Sequence, residues 1–311
     1  MSRRPLLALL AALALLALAV GLSPMLRGSG ASLDVAYRVL LPRAVLGALV
    51  GGALAACGAV LQGVLRNPLA SPYTLGLASG AAVGAAAAIL AGGTGYALPA
   101  TFLGALAGAL SAGALVYAIA TRSQLAAETL LLAGVAVALF GGALTLLLQY
   151  AAGKIELSRM LLWSMGSLAA ADYQPTLLAL PGVGLGFVGI AWVWRRLEVA
   201  SLDDDSARAL GVDPVRVRRV AFGSCAVITA AAVAVAGPVG FVGLIVPHAA
   251  RRLVGPDPRL LLPTATLLGG AALVAADVVA RTIWFPEDLP INLVTHAVGC
   301  PLFVAILLRQ R

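Results

Sequence analysis

From Ala44 to Leu65 the chain carries no charged side chain, and apolar runs of this kind recur along its whole length. Wound as a helix, about 20 such residues span the roughly 30 Å hydrocarbon core of a bilayer. In lipid, backbone polar groups must be satisfied within the segment, so helix is the default conformation. Composition agrees: 61% of the 311 residues are hydrophobic and 11% are charged, where a soluble domain carries about a quarter charged. The expectation is an all-α polytopic membrane protein.

Ten spans fit the apolar runs: 5–22, 44–65, 73–92, 98–121, 129–150, 176–195, 215–236, 240–254, 260–284 and 291–309. An even number puts both termini on one side. Of the 21 Lys and Arg residues, 15 fall on that side and six opposite, and the excess of cations makes it cytoplasmic. The outer cations include a cluster of arginines at 27–43. The net charge of +8 then reflects topology and not a nucleic-acid partner. Arg3 and Arg4 followed by the apolar stretch Leu6 to Leu22 also fit a secretory signal. That stretch is long for one and no small-x-small site follows, so an uncleaved first span is the preferred reading.

Gly and Ala dominate the spans, as in GALVGGALAACGAVLQG (47–63) and GALAGALSAGAL (104–115). Between helices already in lipid there is little hydrophobic drive, and small residues let backbones approach closely. A tight bundle follows. A modest internal repeat is visible: 98–122 resembles 262–281, and 43–63 resembles 219–240. Five spans per half is odd, so the halves would have inverted topology, a transporter signature.

The largest polar segment is RRLEVASLDDDSARALGVDPVRVRR (195–219). Asp203 suits a helix N-cap, Asp204 and Asp205 suit the positive end of a first turn, and Gly211 with Pro214 stops the helix. A short helix over roughly 204–210 is predicted in a cytoplasmic loop, either as a solvated connection or as a docking element.

Reactive groups are scarce. The histidines are His248 and His296 and the one lysine is Lys154. No His-Glu-x-x-His, Gly-x-Ser-x-Gly or paired-Cys pattern is present, and Lys154 lacks the glycine and Ser/Thr of a phosphate-binding loop. Neither an enzyme active site nor a resident cofactor or metal is expected. Gly184-Leu-Gly186-Phe-Val-Gly189 matches the spacing of a dinucleotide fingerprint, but it lies inside an apolar span. It leads into Trp192, Trp194, Arg195 and Arg196, which look like an interfacial anchor. Cys57, Cys225 and Cys300 read as small packing residues. Asp277 is the one carboxylate deep in a predicted span. Arg281, four residues on, makes a structural pair the preferred reading. A proton relay in an ion-coupled transporter or channel is the alternative.

Several runs together resemble the FecCD-type permease family, the transmembrane subunits of importers for cobalamin, ferric siderophores and haem. They are Asn67-Pro68-Leu69-Ala70-Ser71-Pro72 with Leu75-Gly76, Leu130-Leu-Leu-Ala-Gly134-Val135, Trp163-Ser-Met-Gly166-Ser167-Leu168, and Ala207-Arg208-Ala209-Leu210-Gly211. The most specific is Gly237-Pro238-Val-Gly240-Phe241-Val-Gly243-Leu244-Ile-Val-Pro247-His248. Leu262-Pro263, Asp277, Ala280-Arg281 and Leu289-Pro290 continue the pattern. The resemblance covers nearly the whole chain.

It implies a single transmembrane permease domain over 1–311, with a cytoplasmic coupling loop at about 196–214, in the inner membrane. The fold would be that of a type II ATP-binding-cassette (ABC) importer, carrying an iron complex (siderophore or haem) or cobalamin. The implied partners are two ATP-binding subunits, a second permease copy, with a homodimer preferred over a heterodimer, and a periplasmic substrate-binding protein. A cytoplasmic gate would involve Asn67, Leu69, Ala127 and Glu128, although related permeases place small hydroxyl residues at the last two positions. Arg208, Leu210 and Gly211 match the coupling helix that contacts the ATPase. Arg43 and Arg281 match arginines that meet the binding protein. The usual Arg-x-x-Arg pair is incomplete, since Leu40 stands at its first position, and Arg38 is the substitute.

Overall fold

Glycine contacts set the spacing of the helices. The computed structural model describes residues 3–26, 36–92, 98–169, 172–285 and 287–308. Arg27, Arg309 and Arg311, counted above in the charge balance, lie outside them. The helices are α1 (Arg3–Leu22), α2 (Leu41–Val64), α3 (Leu77–Gly92), α4 (Leu98–Thr121), α5 (Ala127–Ala151) and α6 (Lys154–Ser164). They continue with α7 (Gln174–Ala200), α8 (Asp204–Ala209), α9 (Pro214–Ala236), α10 (Val242–Val254), α11 (Pro258–Thr282) and α12 (Ile291–Leu308). A π turn, Ala36–Leu40, leads into α2 and a 3₁₀ turn, Tyr73–Leu75, precedes α3. No strand occurs among the described residues.

Each predicted apolar run is helical, but seven helices among the described residues are long and apolar enough to cross a membrane. These are α1, α2 with its leading turn, α4, α5, α7, α9 and α11. The stretch expected as a span over 240–254 yields only the 13 residues of α10, about 20 Å of helix. The segment 152–164, outside the ten expected spans, contains α6, with Met160 buried.

The chain divides into two compact units, neither of them a contiguous half. One comprises 1–59, 165–178 and 239–311; the other comprises 60–164 and 179–238. In the first, α2 lies against α11 through Gly51 and Gly269. A Cβ on Gly51 would come within 2.3 Å of the Gly269 carbonyl oxygen. The same helix meets α10 at Gly58, where a Cβ would stand 1.7 Å from the Gly243 oxygen. Leu16 of α1 packs over Gly270 of α11. The Trp163–Leu168 motif ends against α12, with Gly166 and Met165 carbonyls accepting from the Ile291 and Asn292 N–H groups at 3.3 Å.

In the second unit, α3 and α4 close on Gly80, Gly84, Gly104 and Gly108. A Cβ on Gly84 would sit 1.9 Å from the Gly104 oxygen. Such contacts exclude side chains and realise the close approach expected of small residues in lipid. The glycines of the 184–189 run are helical: Gly186 and Gly189 pack against Ile228 and Ser224 of α9, so the dinucleotide spacing is coincidental. Cys57 and Cys225 are buried as expected of packing residues, whereas Cys300 is exposed.

Candidate functional site: a turn tied to a short exposed helix

The turn after α2 is held by its own side chains. Asn67 Oδ1 accepts the Leu69 N–H at 2.8 Å, the reach of an Asx turn. Pro68 and Pro72 deny the chain two donors and prevent helix on either side. Ser71 and Thr74 bond reciprocally: the Ser71 N–H donates to Thr74 Oγ1 at 3.1 Å, and the Thr74 hydroxyl donates to the Ser71 carbonyl at 2.8 Å. Gly76 closes the segment at φ +73°, a conformation glycine adopts without steric cost. Its face abuts α5: a Cβ there would lie 2.8 Å from the Gly134 oxygen. The two family-like runs at 67–76 and 130–135 are thus brought together. The junction is about two turns beyond Ala127, which is half-buried, and Glu128, which is exposed. Asn67 is half-buried and Leu69 is exposed.

Arg66 enters the turn at φ +50°, uncommon for a residue with a side chain. Its guanidinium pairs with Asp204 at 2.5 Å, and the same Asp204 oxygen accepts from Arg218 of α9. Asp204 is the first residue of α8. Burial alone would push its carboxyl up in pKa, but hydrogen bonds and charge from Arg218 and Arg66 outweigh burial and hold it below the usual carboxylate range. Sequence reasoning assigned Asp204 to the helix dipole and missed this bridge.

α8 forms where predicted. Asp203 Oδ1 accepts the Ser206 N–H at 3.0 Å, and Ser206 also draws the Asp203 carboxyl below its ordinary pKa. Gly211 at φ +78° stops the helix, and Asp213 with Pro214 starts α9, its Oδ1 accepting from the Val215 N–H at 2.9 Å. Ala207 faces inward. Arg208, Leu210 and Leu202 are exposed, Leu210 at 63%. Among the described residues Arg208 pairs only with Asp205 of its own helix, at 3.3 Å. One face therefore rests on the protein through Ala207 and the Asp204 bridge, and the other offers apolar and charged groups to solvent.

A separate cluster lies in the other unit. Arg43 Nε donates to Asp277 at 2.7 Å, and its second nitrogen reaches Asp288 at 2.5 Å. Arg281 faces Asp277 at 3.6 Å, donates to the Leu26 carbonyl at 2.6 Å and also bonds the Ser23 carbonyl. Asp277 thus forms the expected structural pair with Arg281, and with Arg43 besides. Both arginines expected to meet a binding protein are turned inward and buried; Arg38 is exposed. The physical reason is Asp277, whose charge in an apolar span requires cationic partners.

Residues 6–309 match the FecCD transport family. The chain belongs to that family. It is 46% identical to the cobalamin import system permease protein BtuC of Halobacterium salinarum, over 88% of this chain and 73% of that protein. It is 37% identical to the hemin transport system permease protein HmuU of Yersinia pestis, over 88% of this chain and 83% of that one. A solved structure described as an inward-facing conformation of a metal-chelate type ABC transporter superposes with a TM-score of 0.88. It is 31% identical and covers 97% of this chain and 99% of its own. The FecCD chain is therefore an integral membrane permease of ABC type, a transport subunit and not itself an enzyme.

Proposed function

We propose that this FecCD permease lines the path of an ABC importer for an iron complex (siderophore or haem) or cobalamin, powered by ATP hydrolysis on separate subunits. The observation that carries the reading is the Arg66–Asp204–Arg218 bridge. It joins the Asn67–Pro72 turn to a capped helix whose outer face is open. In this reading Asn67, Leu69, Ala127 and Glu128 form the cytoplasmic gate. Arg208, Leu210 and Gly211 form the ATPase contact, and closure of the ATPases moves α8 as a rigid lever. Two ATP-binding subunits, a second copy of this chain and a periplasmic binding protein complete the assembly in the inner membrane. Ten spans in two inverted halves place both termini in the cytoplasm, with α10 and its preceding break counted as one span. No cofactor is resident, and nucleic acid has no part.

At the outer face, Arg38 makes the direct approach to the binding protein, while Arg43 and Arg281 brace that surface from behind. An ion-coupled transporter built on Asp277 is disfavoured, because the carboxylate is held between Arg43 and Arg281. The test is reconstitution in liposomes with the ATPase and binding protein. Uptake of a ferric siderophore, haem or cobalamin should require ATP hydrolysis; uptake that continues without the ATPase contradicts the proposal.

A further inference from the structure

α7 and α9 run antiparallel along a narrow seam. Gly182, Gly186 and Gly189 on the first meet Ala231, Ile228 and Ser224 on the second. Beyond Gly189 the Arg216 side chain, from nearer the start of α9, reaches Trp192 of α7. The Arg196 guanidinium lies 4.0 Å from the centre of the Trp192 ring and that of Arg216 lies 5.4 Å from it. Arg196 also donates to the Trp192 carbonyl at 2.9 Å. One indole thus gathers two cations, as cation–π attraction allows. Arg195 and Arg219, both exposed, flank them.

Among the described residues no carboxylate pairs with any of these four arginines. Asp213 is spent on capping α9, and Asp204 takes Arg218 from the same turn. Arg216 and Arg219 further stand near the start of α9, the positive end of its dipole, where cations are disfavoured. Asp213 and the nearby Glu198 make no ion pair with these guanidinium groups, which leaves them open to an anion from outside the chain.

The same side of the seam is apolar farther into the span. By helical spacing, Leu185 and Val188 share the Trp192 side of α7, and they are 67% and 69% exposed. Gly223 occupies the Arg216 side of α9, where an added Cβ would meet nothing within 4 Å. An apolar strip with room beside it therefore leads directly to the arginines.

We propose that this site binds an anionic phospholipid. The phosphate sits at Arg196 and Arg216, and an acyl chain follows Leu185, Val188 and Gly223. The apolar strip of two membrane-crossing helices runs directly up to the arginines, and that continuity favours a lipid over an acidic protein surface. Trp192 holds the two guanidinium groups apart and in place.

Native mass spectrometry of the full chain, released from detergent with phosphatidylglycerol or phosphatidylcholine added, tests this. Wild type should retain phosphatidylglycerol well above phosphatidylcholine. An Arg196→Gln/Arg216→Gln chain should lose about 30-fold in affinity for phosphatidylglycerol, the effect of removing two cations from a headgroup. Arg196→Lys/Arg216→Lys should keep part of the preference, and serves with the wild-type lipid comparison should the neutral variant not fold. Equal retention of the two lipids by wild type overturns the proposal. So does displacement of phosphatidylglycerol by millimolar inorganic phosphate, which would make the ligand a free anion. A neutral variant that retains lipid normally but no longer binds the ATPase assigns the arginines to that protein and overturns it as well.

Discussion

Asp204 carries two arginines on one carboxylate, and the turn and the short helix meet through it. Replacing it by Asn removes the charge and keeps the shape. The exposed Arg66 pair is worth about 0–1 kcal/mol. Arg218, however, is buried and loses its carboxylate, so some stability is lost and transport is compared per folded molecule. Transport per ATP hydrolysed should fall severalfold in the reconstituted complex, and an unchanged ratio would show that the bridge transmits nothing. The pH dependence has a definite sign. A carboxyl held below its unfolded value stabilises the structure above that value and is lost only as pH falls through the lowered one. Coupling should therefore stay level from neutral down to about pH 5, above the ordinary carboxylate range, and fail in stronger acid. The Asp203 cap was readable from its place before an acidic first turn. The bridge was not, because Arg66 and Asp204 are 138 residues apart and no local pattern announces such a pair.

The helices were legible wherever an apolar run was long and uninterrupted. α6 was not, because Lys154, Glu156 and Arg159 break its apolar residues and no continuous run marks it. The start of α10 was misjudged for a different reason. Gly237 and Phe241, both at positive φ, interrupt a stretch whose composition stays apolar throughout. Glycine content suggested tight packing without saying which glycines matter, and the contacts separate them. Gly84→Val in α3 would drive a side chain into the Gly104 backbone, and overpacking of this kind costs about 1–3 kcal/mol. Gly142→Ala in α5, where a Cβ meets nothing within 4 Å, should cost nothing measurable. Thermal unfolding of the two variants in detergent should show a clear loss for the first alone; equal behaviour would mean the α3–α4 contact is looser than drawn.

For the molecule as a whole, Asp277 divides two ways of driving transport. With its carboxylate between Arg43 and Arg281, Asp277→Asn leaves buried cations short of a partner, and breaking such a pair costs about 3–5 kcal/mol. Folded yield and melting temperature should drop. ATP-driven uptake per folded molecule should persist, since the group holds the structure and carries no ion. Normal stability with abolished transport would favour ion coupling instead. The short α10 has its own consequence. Residues 237–240, just before its 13 residues, are buried, so their main-chain amides need partners within the protein. The Gly240 amide is met by the Asn292 carboxamide at 3.0 Å, supplied by a helix made some fifty residues later. During synthesis this piece cannot settle as it leaves the ribosome; it must wait for the final helix, which makes the chain's assembly a matter of order as well as of hydrophobicity.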